Sequence, residues 1–252
     1  MDIPEGLQGF CVAFVSGLNA VLGENLNGVY LYGAWAFPEG TKRGDIDFHV
    51  ILRRALSDRE KLALSDLHTA LAREFPLLVG EGLDGYYILL EEARRTTSPR
   101  HQLLDDVVDE SWALHRAHVR AGRCIVLQGP DPREVYPAAS WEELANALQG
   151  ELAYVEKHLI DYPAYCVLNL CRLMYSYETR DVVVSKYASA RWACHAYPER
   201  GSYIEAARKV YEVTASTREK ELLKSGIACF FDFACERIRE SRSKPLSSRA
   251  DG

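Results

Sequence analysis

Two aspartates one residue apart, Asp45 and Asp47, are the side chains of this sequence with the clearest potential for chemistry. They open a segment, 45–52, in which polar and apolar residues alternate with the period of a β-strand, so that both carboxylates lie on one face. Two neighbouring carboxylates repel each other at neutral pH unless a cation neutralises them. Mg²⁺ prefers one or two carboxylates together with substrate phosphates. The pair therefore predicts a magnesium site, although the same pattern also occurs at solvated strand edges.

A glycine and a third acid flank this pair along the chain. Gly33 ends a short apolar run, 29–32, that is typical of a strand, and a residue without a Cβ lets backbone N–H groups approach a phosphate. Taken alone, this glycine could simply end the strand. Asp84 lies near the start of another predicted strand, 83–90, where it could serve as a metal ligand or as the base for an attacking hydroxyl. The order of these features predicts phosphate chemistry more strongly than any single one.

The elements that must position these residues change in type along the chain. Apolar spacing predicts a helix over 8–23, a helix that begins at the capping box Ser57-x-x-Glu60, a helix over 102–121 and a short strand at 124–127. The segment 129–137 contains three prolines, which predicts a linker. Beyond it the pattern is helical almost to Arg239. The sequence therefore predicts a first half of strands and helices, followed by a second half of helices alone.

Composition and charge exclude several classes of protein. The 252 residues include 30 Lys+Arg and 36 Asp+Glu, a net charge of −6, which does not suit a protein held on nucleic acid by charge alone. The seven cysteines form no CxxC pair and lie in apolar runs, as expected for reduced thiols in the cytoplasm. The N-terminus lacks the basic region of a signal peptide, and no stretch approaches the roughly 20 apolar residues of a membrane span. A cytoplasmic protein without a membrane partner is expected.

Histidines give weaker signals. His49 follows Asp47 on the same strand face and could contact a substrate, but a structural role is the stronger expectation. His115 and His118 do not match the spacing of structural zinc sites and lie in an apolar helical pattern, so packing in the core or a satisfied surface position is expected for both. The sequence contains neither a Rossmann fingerprint nor a P-loop.

The stretch 31–51 resembles the signature of the nucleotidyltransferase superfamily, which is a Gly-Ser, a spacer and then Gly/Ser-Asp-x-Asp. More narrowly, the chain is similar to the aminoglycoside adenylyltransferases of the streptomycin and spectinomycin group. The similarity continues in the blocks GRCIVLQGPDP at 122–132, VLNLCRLMY at 167–175 and SKYASARWA at 185–193. Together, the similar segments span 27–212.

This resemblance implies an α+β fold with two domains. The N-terminal nucleotidyltransferase domain, 1–137, would contain a mixed β-sheet flanked by helices, and the all-helical domain, 138–240, would bind substrate or nucleotide. Residues 241–252 are expected to form a disordered tail. The implied activity is Mg²⁺-dependent transfer of AMP from ATP to a hydroxyl of an aminoglycoside or similar small polycationic acceptor. A monomer without a nucleic-acid partner is expected.

The resemblance also implies roles for single residues. ATP and Mg²⁺ would bind at Gly33 and Ala34 and at the pair Asp45 and Asp47, whose carboxylates would hold the metal. Asp84 aligns with the catalytic base of the family, a glutamate in several members, and would deprotonate the acceptor hydroxyl. The attack of that oxygen on the α-phosphorus would expel pyrophosphate.

Two cations and three departures from the family pattern complete the prediction. Lys186 and Arg208 lie in matching blocks and would hold the triphosphate, although solvated helix cations are an equal alternative for each. The Gly-Ser of the family is Gly-Ala at Ala34, which removes one hydrogen bond worth about 1 kcal/mol. Tyr187 stands where drug-modifying relatives often carry an acid, and the stretch between 90 and 112 is shorter than theirs. Two alternatives remain open: a nucleotidyltransferase with a non-drug acceptor, and a nucleotide-binding homologue with little turnover.

Overall fold

The computed structural model of the chain describes residues 2–37, 45–79, 83–104 and 106–243. The chain divides into two compact units, Met1–Ala147 and Leu148–Gly252. The strands are β1 (Leu26–Leu31), β2 (Ile46–Leu52), β3 (Leu83–Leu89) and β4 (Ile125–Gln128). The helices of the first unit are α1 (Gln8–Leu22), α2 (Asp58–Glu74), α3 (Pro76–Val79), α4 (Leu90–Ala93), α5 (Trp112–Arg120) and α6 (Pro132–Val135). Helix α7 (Trp141–His158) contains the division, and α8 (Pro163–Thr179), α9 (Lys186–Ala196), α10 (Gly201–Tyr211) and α11 (Thr217–Ser243) follow in the second unit.

The strands form one mixed sheet in the order β3-β2-β1-β4. β2 and β3 pair in parallel, whereas β1 pairs antiparallel with both β2 and β4. A parallel pair needs a crossover connection, and α2 and α3 lie in the chain between β2 and β3. The mixed sheet with its helices confirms the predicted α+β class.

The two faces of the sheet belong to different core clusters. Ile46, Phe48 and Val50 of β2 pack in one cluster with buried residues of α1 and α2. On the other face, Tyr32 packs in a second cluster with Trp112 of α5. The alternation predicted for 45–52 is therefore confirmed, and the acidic positions of β2 lie on the side of the second cluster.

A capping box fixes the start of α2, directly after β2. The side-chain oxygen of Ser57 accepts from the backbone N–H of Glu60 (3.4 Å), and the Glu60 carboxylate accepts from the backbone N–H of Ser57 (2.8 Å). Arg54 donates to the same carboxylate at 2.9 Å. These hydrogen bonds, that of Arg54 above all, lower the pKa of Glu60 to about 2. The predicted capping box is confirmed.

The helix predicted over 102–121 begins only at Trp112, so the prediction is wrong for its first half. The preceding segment is tied to β3 by His101, whose Nε2 donates to the carbonyl of Gly85 (2.9 Å). Its Nδ1 accepts from the backbone N–H of Leu103 (2.9 Å). A side chain that captures backbone N–H groups in this way competes with helix formation, which apolar spacing alone does not reveal.

The proline-rich segment predicted as a linker, 129–137, packs on the first unit. Tyr136 is buried, and the guanidinium of Arg116 donates to the carbonyl of Pro137 (3.3 Å). The division between the units falls after Ala147, inside α7, instead of after residue 137. Buried contacts of this kind override the linker signal of proline content.

The end of the chain is helical for longer than the sequence predicts. α11 ends at Ser243, so the first three residues of the predicted disordered tail are helical, and Ser241 is buried. Residues 244–252 lie outside the described residues.

Among the described residues, one helical stretch, Glu5–Asn25, is long and apolar enough to cross a membrane, with a mean hydropathy of 1.5. This stretch differs from the expectation that no segment approaches the length of a membrane span. It contains α1, whose Phe10, Phe14 and Leu18 are buried in the first core cluster. Core helices meet the same criterion of length and composition, so the stretch is weak evidence for a membrane.

Candidate functional site

The turn after β1 is built around Gly33, which lies against Asp47. Gly33 begins the 3-10 turn Gly33–Ala36 and has a φ of +67°, a conformation that residues with a Cβ rarely adopt. A Cβ at this position would overlap the Asp47 carboxylate. The backbone N–H of Tyr32 donates to the carbonyl of Asp47 (3.0 Å), which holds the end of β1 beside β2. The turn, which also contains Ala34, can approach the carboxylate this closely only with glycine at position 33.

The three predicted acids lie on one face of the sheet. Asp47 is the register partner of Asp84 in the parallel β2–β3 pair, so their Cα atoms are about 4.8 Å apart and their side chains share a face. Asp45 lies directly before β2, and the alternation of an extended chain would turn it to the same side as Asp47. Asp45 and Asp47 are half-buried, whereas Asp84 is exposed. Like charges directly opposite each other in a sheet repel, and a nearby cation would reduce that repulsion.

The acids alone do not form a three-ligand metal group. Among the described residues, Asp45, Asp47 and Asp84 do not bring one ligand oxygen each into such a group. A site with two carboxylates is what Mg²⁺ uses when substrate phosphates supply the remaining ligands. The roles predicted for Asp45 and Asp47 as metal ligands and for Asp84 as the base stay predictions.

Two tyrosines lie on the same face beside the acids. Burial, together with the carboxylates of Asp109 and Asp47, raises the pKa of Tyr32. Burial and the carboxylates of Asp109 and Asp84 raise the pKa of Tyr86 to about 12. Both hydroxyls therefore stay protonated at neutral pH, and this face of the sheet gains no further negative charge from them.

Lys186 begins α9 in the second unit. Ser185 caps this helix, because its side-chain oxygen accepts from the backbone N–H of Ala188 (2.9 Å). The Lys186 ammonium lies 4.1 Å from the ring centroid of Tyr165 and 5.3 Å from that of Tyr211. Both distances are within the range of cation–π attraction, which orients the lysine.

Arg208 of α10 is held by neighbours in the second unit. Its guanidinium lies 4.5 Å from the ring centroid of Tyr187. It also lies 3.0 Å from a carboxylate oxygen of Glu205 and 3.5 Å from one of Glu212. The charge of Arg208 is therefore partly neutralised, and the ring of Tyr187 packs against its guanidinium.

The predicted residues are divided between the two units. Those of the first unit are Gly33, Ala34, Asp45, Asp47 and Asp84, and those of the second are Lys186 and Arg208. The contact between the Gly33 turn and the Asp47 carboxylate of β2 could not be predicted from the order of residues in the sequence.

A buried polar cluster on the same sheet face was not predicted from the sequence. It consists of His49, Asp109 and His115, and we call it the His-Asp-His cluster. Asp109 accepts at Oδ2 from His115 Nδ1 (2.7 Å), and the same oxygen lies 3.8 Å from His49 Nε2. The position of His49 two residues after Asp47 was the one available signal, since no spacing pattern points to Asp109.

The protonation states of the His-Asp-His cluster follow from burial and charge. Burial lowers the pKa of His49 to about 3, so its ring is neutral. Burial alone would raise the pKa of Asp109, but the neighbouring rings of His115 and His49 lower it, and the carboxyl is ionised. The cluster therefore offers a neutral imidazole beside a buried carboxylate.

Comparison with known proteins gives two findings for this arrangement. Residues 134–237 match the family model described as aminoglycoside adenylyltransferase, C-terminal domain. Among solved structures, the chain resembles the spectinomycin adenyltransferase AAD(9) from Enterococcus faecialis, solved with ATP and spectinomycin. The TM-score is 0.72 at 15% identity, over 90% of this chain and 97% of that chain, which shows a shared fold. The resemblance to aminoglycoside nucleotidyltransferases predicted from the sequence is confirmed.

Other comparisons add no argument. A toxin–antitoxin structure with AMP-PNP reaches a TM-score of only 0.29 at 16% identity, over 59% of this chain and 89% of that chain. No curated protein matches the chain.

Proposed function

We propose that this chain is a Mg²⁺-dependent nucleotidyltransferase that moves AMP from ATP to a hydroxyl of an aminoglycoside or similar small polycationic acceptor. The observation that carries the proposal is the contact of the Gly33 turn with the Asp47 carboxylate, beside the register partner Asp84. The fold shared with a spectinomycin adenyltransferase and the family match over 134–237 support the same chemistry.

Asp45 and Asp47 would hold Mg²⁺ in this enzyme. Both carboxylates are placed on one face of the sheet in this proposal. Because Gly33 has no Cβ, its backbone lies close to the Asp47 carboxylate and would therefore also lie close to the bound metal and phosphates. The metal supplies neutralisation of the charge on the transferred and leaving phosphates. Asp45 and Asp47 would act on the triphosphate only through the ion that they hold, since carboxylates and phosphates repel each other.

Asp84 acts as the base. Its exposed carboxylate takes the proton from the acceptor hydroxyl as that oxygen forms a bond to the α-phosphorus. The bond between the α-phosphorus and the oxygen bridging to the β-phosphate breaks in line, and pyrophosphate leaves with its electron pair. Positioning and charge neutralisation account for most of the catalysis in a transfer of this type.

The nucleotide is held by backbone and by cations. At the turn, the peptide N–H groups around Ala34 substitute for the missing hydroxyl of the family pattern, at a cost of about 1 kcal/mol. Lys186 and Arg208 bind the triphosphate in the proposal, and their tyrosine partners keep both side chains ordered before the substrate arrives. We expect the enzyme to work as a cytoplasmic monomer.

A calorimetric titration with ATP and MgCl₂ tests the nucleotide site. Asp47→Asn keeps the shape of the side chain but removes a charge that would face the cation, so we expect Mg·ATP affinity to fall by about 10–100-fold. Asp66→Asn makes the same charge change on the exposed surface of α2 and should leave the affinity unchanged. Equal affinity in wild type and Asp47→Asn would place the metal elsewhere.

The acceptor is tested on the same complex. Spectinomycin, streptomycin and other aminoglycosides are titrated into the wild-type protein saturated with a non-hydrolysable ATP analogue and Mg²⁺. Binding of one of these drugs supports the proposed acceptor class. Nucleotide binding without any drug binding would favour the alternative with a non-drug acceptor.

A further inference from the structure

The His-Asp-His cluster has the composition and spacing of a metal site that is separate from the acids of the proposed active site. Each of His49, Asp109 and His115 offers one ligand atom, and the three atoms lie within 4.8 Å of one another. Among the residues that the structure describes, no other group of His, Cys, Asp and Glu does so. The three residues come from β2, from the segment before α5 and from α5 itself.

Two atoms of the cluster are buried without a hydrogen-bond partner in the described structure. His49 Nε2 and Asp109 Oδ1 are both in this position. The side chains of His49 and Asp109 have no solvent exposure. Buried polar atoms are almost always paired in native proteins, so two unpaired atoms in one cluster point to a bound partner that both can reach.

The surroundings of His49 suit a ligating imidazole. Its Nδ1 lies 3.3 Å from the hydroxyl of buried Tyr136. When this Nδ1 carries the proton and donates to Tyr136, the lone pair of Nε2 faces Asp109. Histidines that bind metals usually donate their second ring N–H to such an outer partner, which fixes the ring. The rings of Tyr32 and Trp112 pack against His49 and exclude water.

We propose that the His-Asp-His cluster binds a divalent transition ion of the zinc class through His49 Nε2, the Asp109 carboxylate and His115 Nδ1. Imidazole and carboxylate are ligands of such ions, whereas Mg²⁺ favours oxygen alone. Zinc bonds of about 2.0–2.1 Å hold ligand atoms roughly 3.5 Å apart. The 3.8 Å between His49 Nε2 and Asp109 Oδ2 would close slightly to reach that distance, and the 2.7 Å hydrogen bond between His115 Nδ1 and Asp109 Oδ2 would have to open to it. The ion takes the place of the Nδ1 proton that His115 donates to Asp109, which leaves to solvent, and Nε2 of His115 carries the ring's proton so that His115 binds as a neutral imidazole.

The ion would act structurally. It ties β2, which carries Asp45 and Asp47, to α5 and to the segment before it. The partly exposed ring of His115, 23% accessible, provides the route of entry. The inference does not depend on the proposed function, since none of its three residues binds nucleotide or acceptor in that proposal.

The test is a calorimetric titration of EDTA-treated full-length protein with ZnCl₂, in a Cys229→Ser background and excess MgCl₂. The substitution removes an exposed thiol that could bind zinc, and magnesium occupies the acids. We expect one zinc per chain and a higher thermal midpoint with zinc. His115→Gln should lower the affinity by at least about tenfold, and His195→Gln, on the exposed surface of α9, should leave it unchanged.

Two further measurements keep the proposal testable if His115→Gln does not fold. Tyr136→Phe keeps the buried ring and removes only the outer hydroxyl, so zinc affinity should fall by about 10–100-fold while the protein stays folded. Co²⁺ in place of zinc should give a visible absorption band that is lost in His115→Gln. Absence of zinc uptake by the parent protein, or equal affinity and an equal cobalt band in His115→Gln, would overturn the proposal.

Discussion

Gly33→Ala is expected to reduce the rate of AMP transfer by about 100-fold, because the new methyl group would occupy the space of the Asp47 carboxylate. A displacement of about 1 Å at a catalytic centre is enough for a loss of this size. The φ of +67° adds a backbone cost of about 1–2 kcal/mol to the folded state. Release of pyrophosphate in the presence of ATP, Mg²⁺ and acceptor measures the rate, and urea unfolding measures the stability.

The matched control for this substitution is Gly122→Ala. Gly122 has a similar φ of +79°, but nothing lies within 4 Å of a Cβ built there. We expect the backbone cost in both variants, a further loss of stability at Gly33 from the overlap with Asp47, and a loss of transfer only at Gly33. If both variants lose stability and Gly33→Ala transfers AMP as fast as Gly122→Ala, the close contact with Asp47 has no role in the reaction.

Asp84→Asn is expected to lower kcat by about 10²–10⁴-fold, the usual contribution of a general base. An amide of the same shape accepts no proton, whereas Mg·ATP affinity should change little because Asp45 and Asp47 remain. Asp84→Glu should keep a substantial part of the activity, since a carboxylate is restored one methylene further out. Steady-state kinetics and ATP titration of the three proteins separate the two effects.

The result that would contradict this assignment is a loss of ATP affinity in Asp84→Asn as large as the loss in kcat. Asp84 would then be a metal ligand, because its register pairing with Asp47 places the two residues side by side. Unchanged kcat would remove Asp84 from the mechanism altogether.

Local sequence signals predicted most of the sheet and the helix starts. The alternation over 45–52 gave β2 its two faces, and the capping box at Ser57 fixed α2, because both depend on neighbours in the chain. The apolar runs also located β1, β3 and β4 to within a few residues.

Features that depend on distant contacts were not predictable in this way. His101 reaches Gly85 and thereby replaces the first half of the helix expected over 102–121. In the His-Asp-His cluster, His49 lies beside Asp109 and His115, although both follow it by 60 residues or more in the chain. The contacts in this cluster depend on how α5 and the segment before it pack on the sheet, which the spacing of residues along the chain does not indicate.

The candidate site was predicted by residue type but not by environment. The ion pairs of Arg208 with Glu205 and Glu212 follow the i, i+3 and i, i+4 spacing of one helix and were within reach of the sequence. The overlap between a Cβ at Gly33 and the Asp47 carboxylate could not be predicted from the sequence, because it depends on the register of β1 with β2. The residue types of the candidate site were therefore easier to predict than the contact between Gly33 and Asp47 that positions them.

The most direct test of the central claim is mass spectrometry of the acceptor after incubation with the purified protein, ATP and MgCl₂. The account predicts that one drug of an aminoglycoside panel that includes spectinomycin and streptomycin gains a single adenylyl group. One pyrophosphate should appear for each modified drug, and neither product should form with Asp84→Asn. Unmodified drugs together with unconsumed ATP, or with ATP hydrolysed to ADP, would contradict transfer of AMP to this class of acceptor.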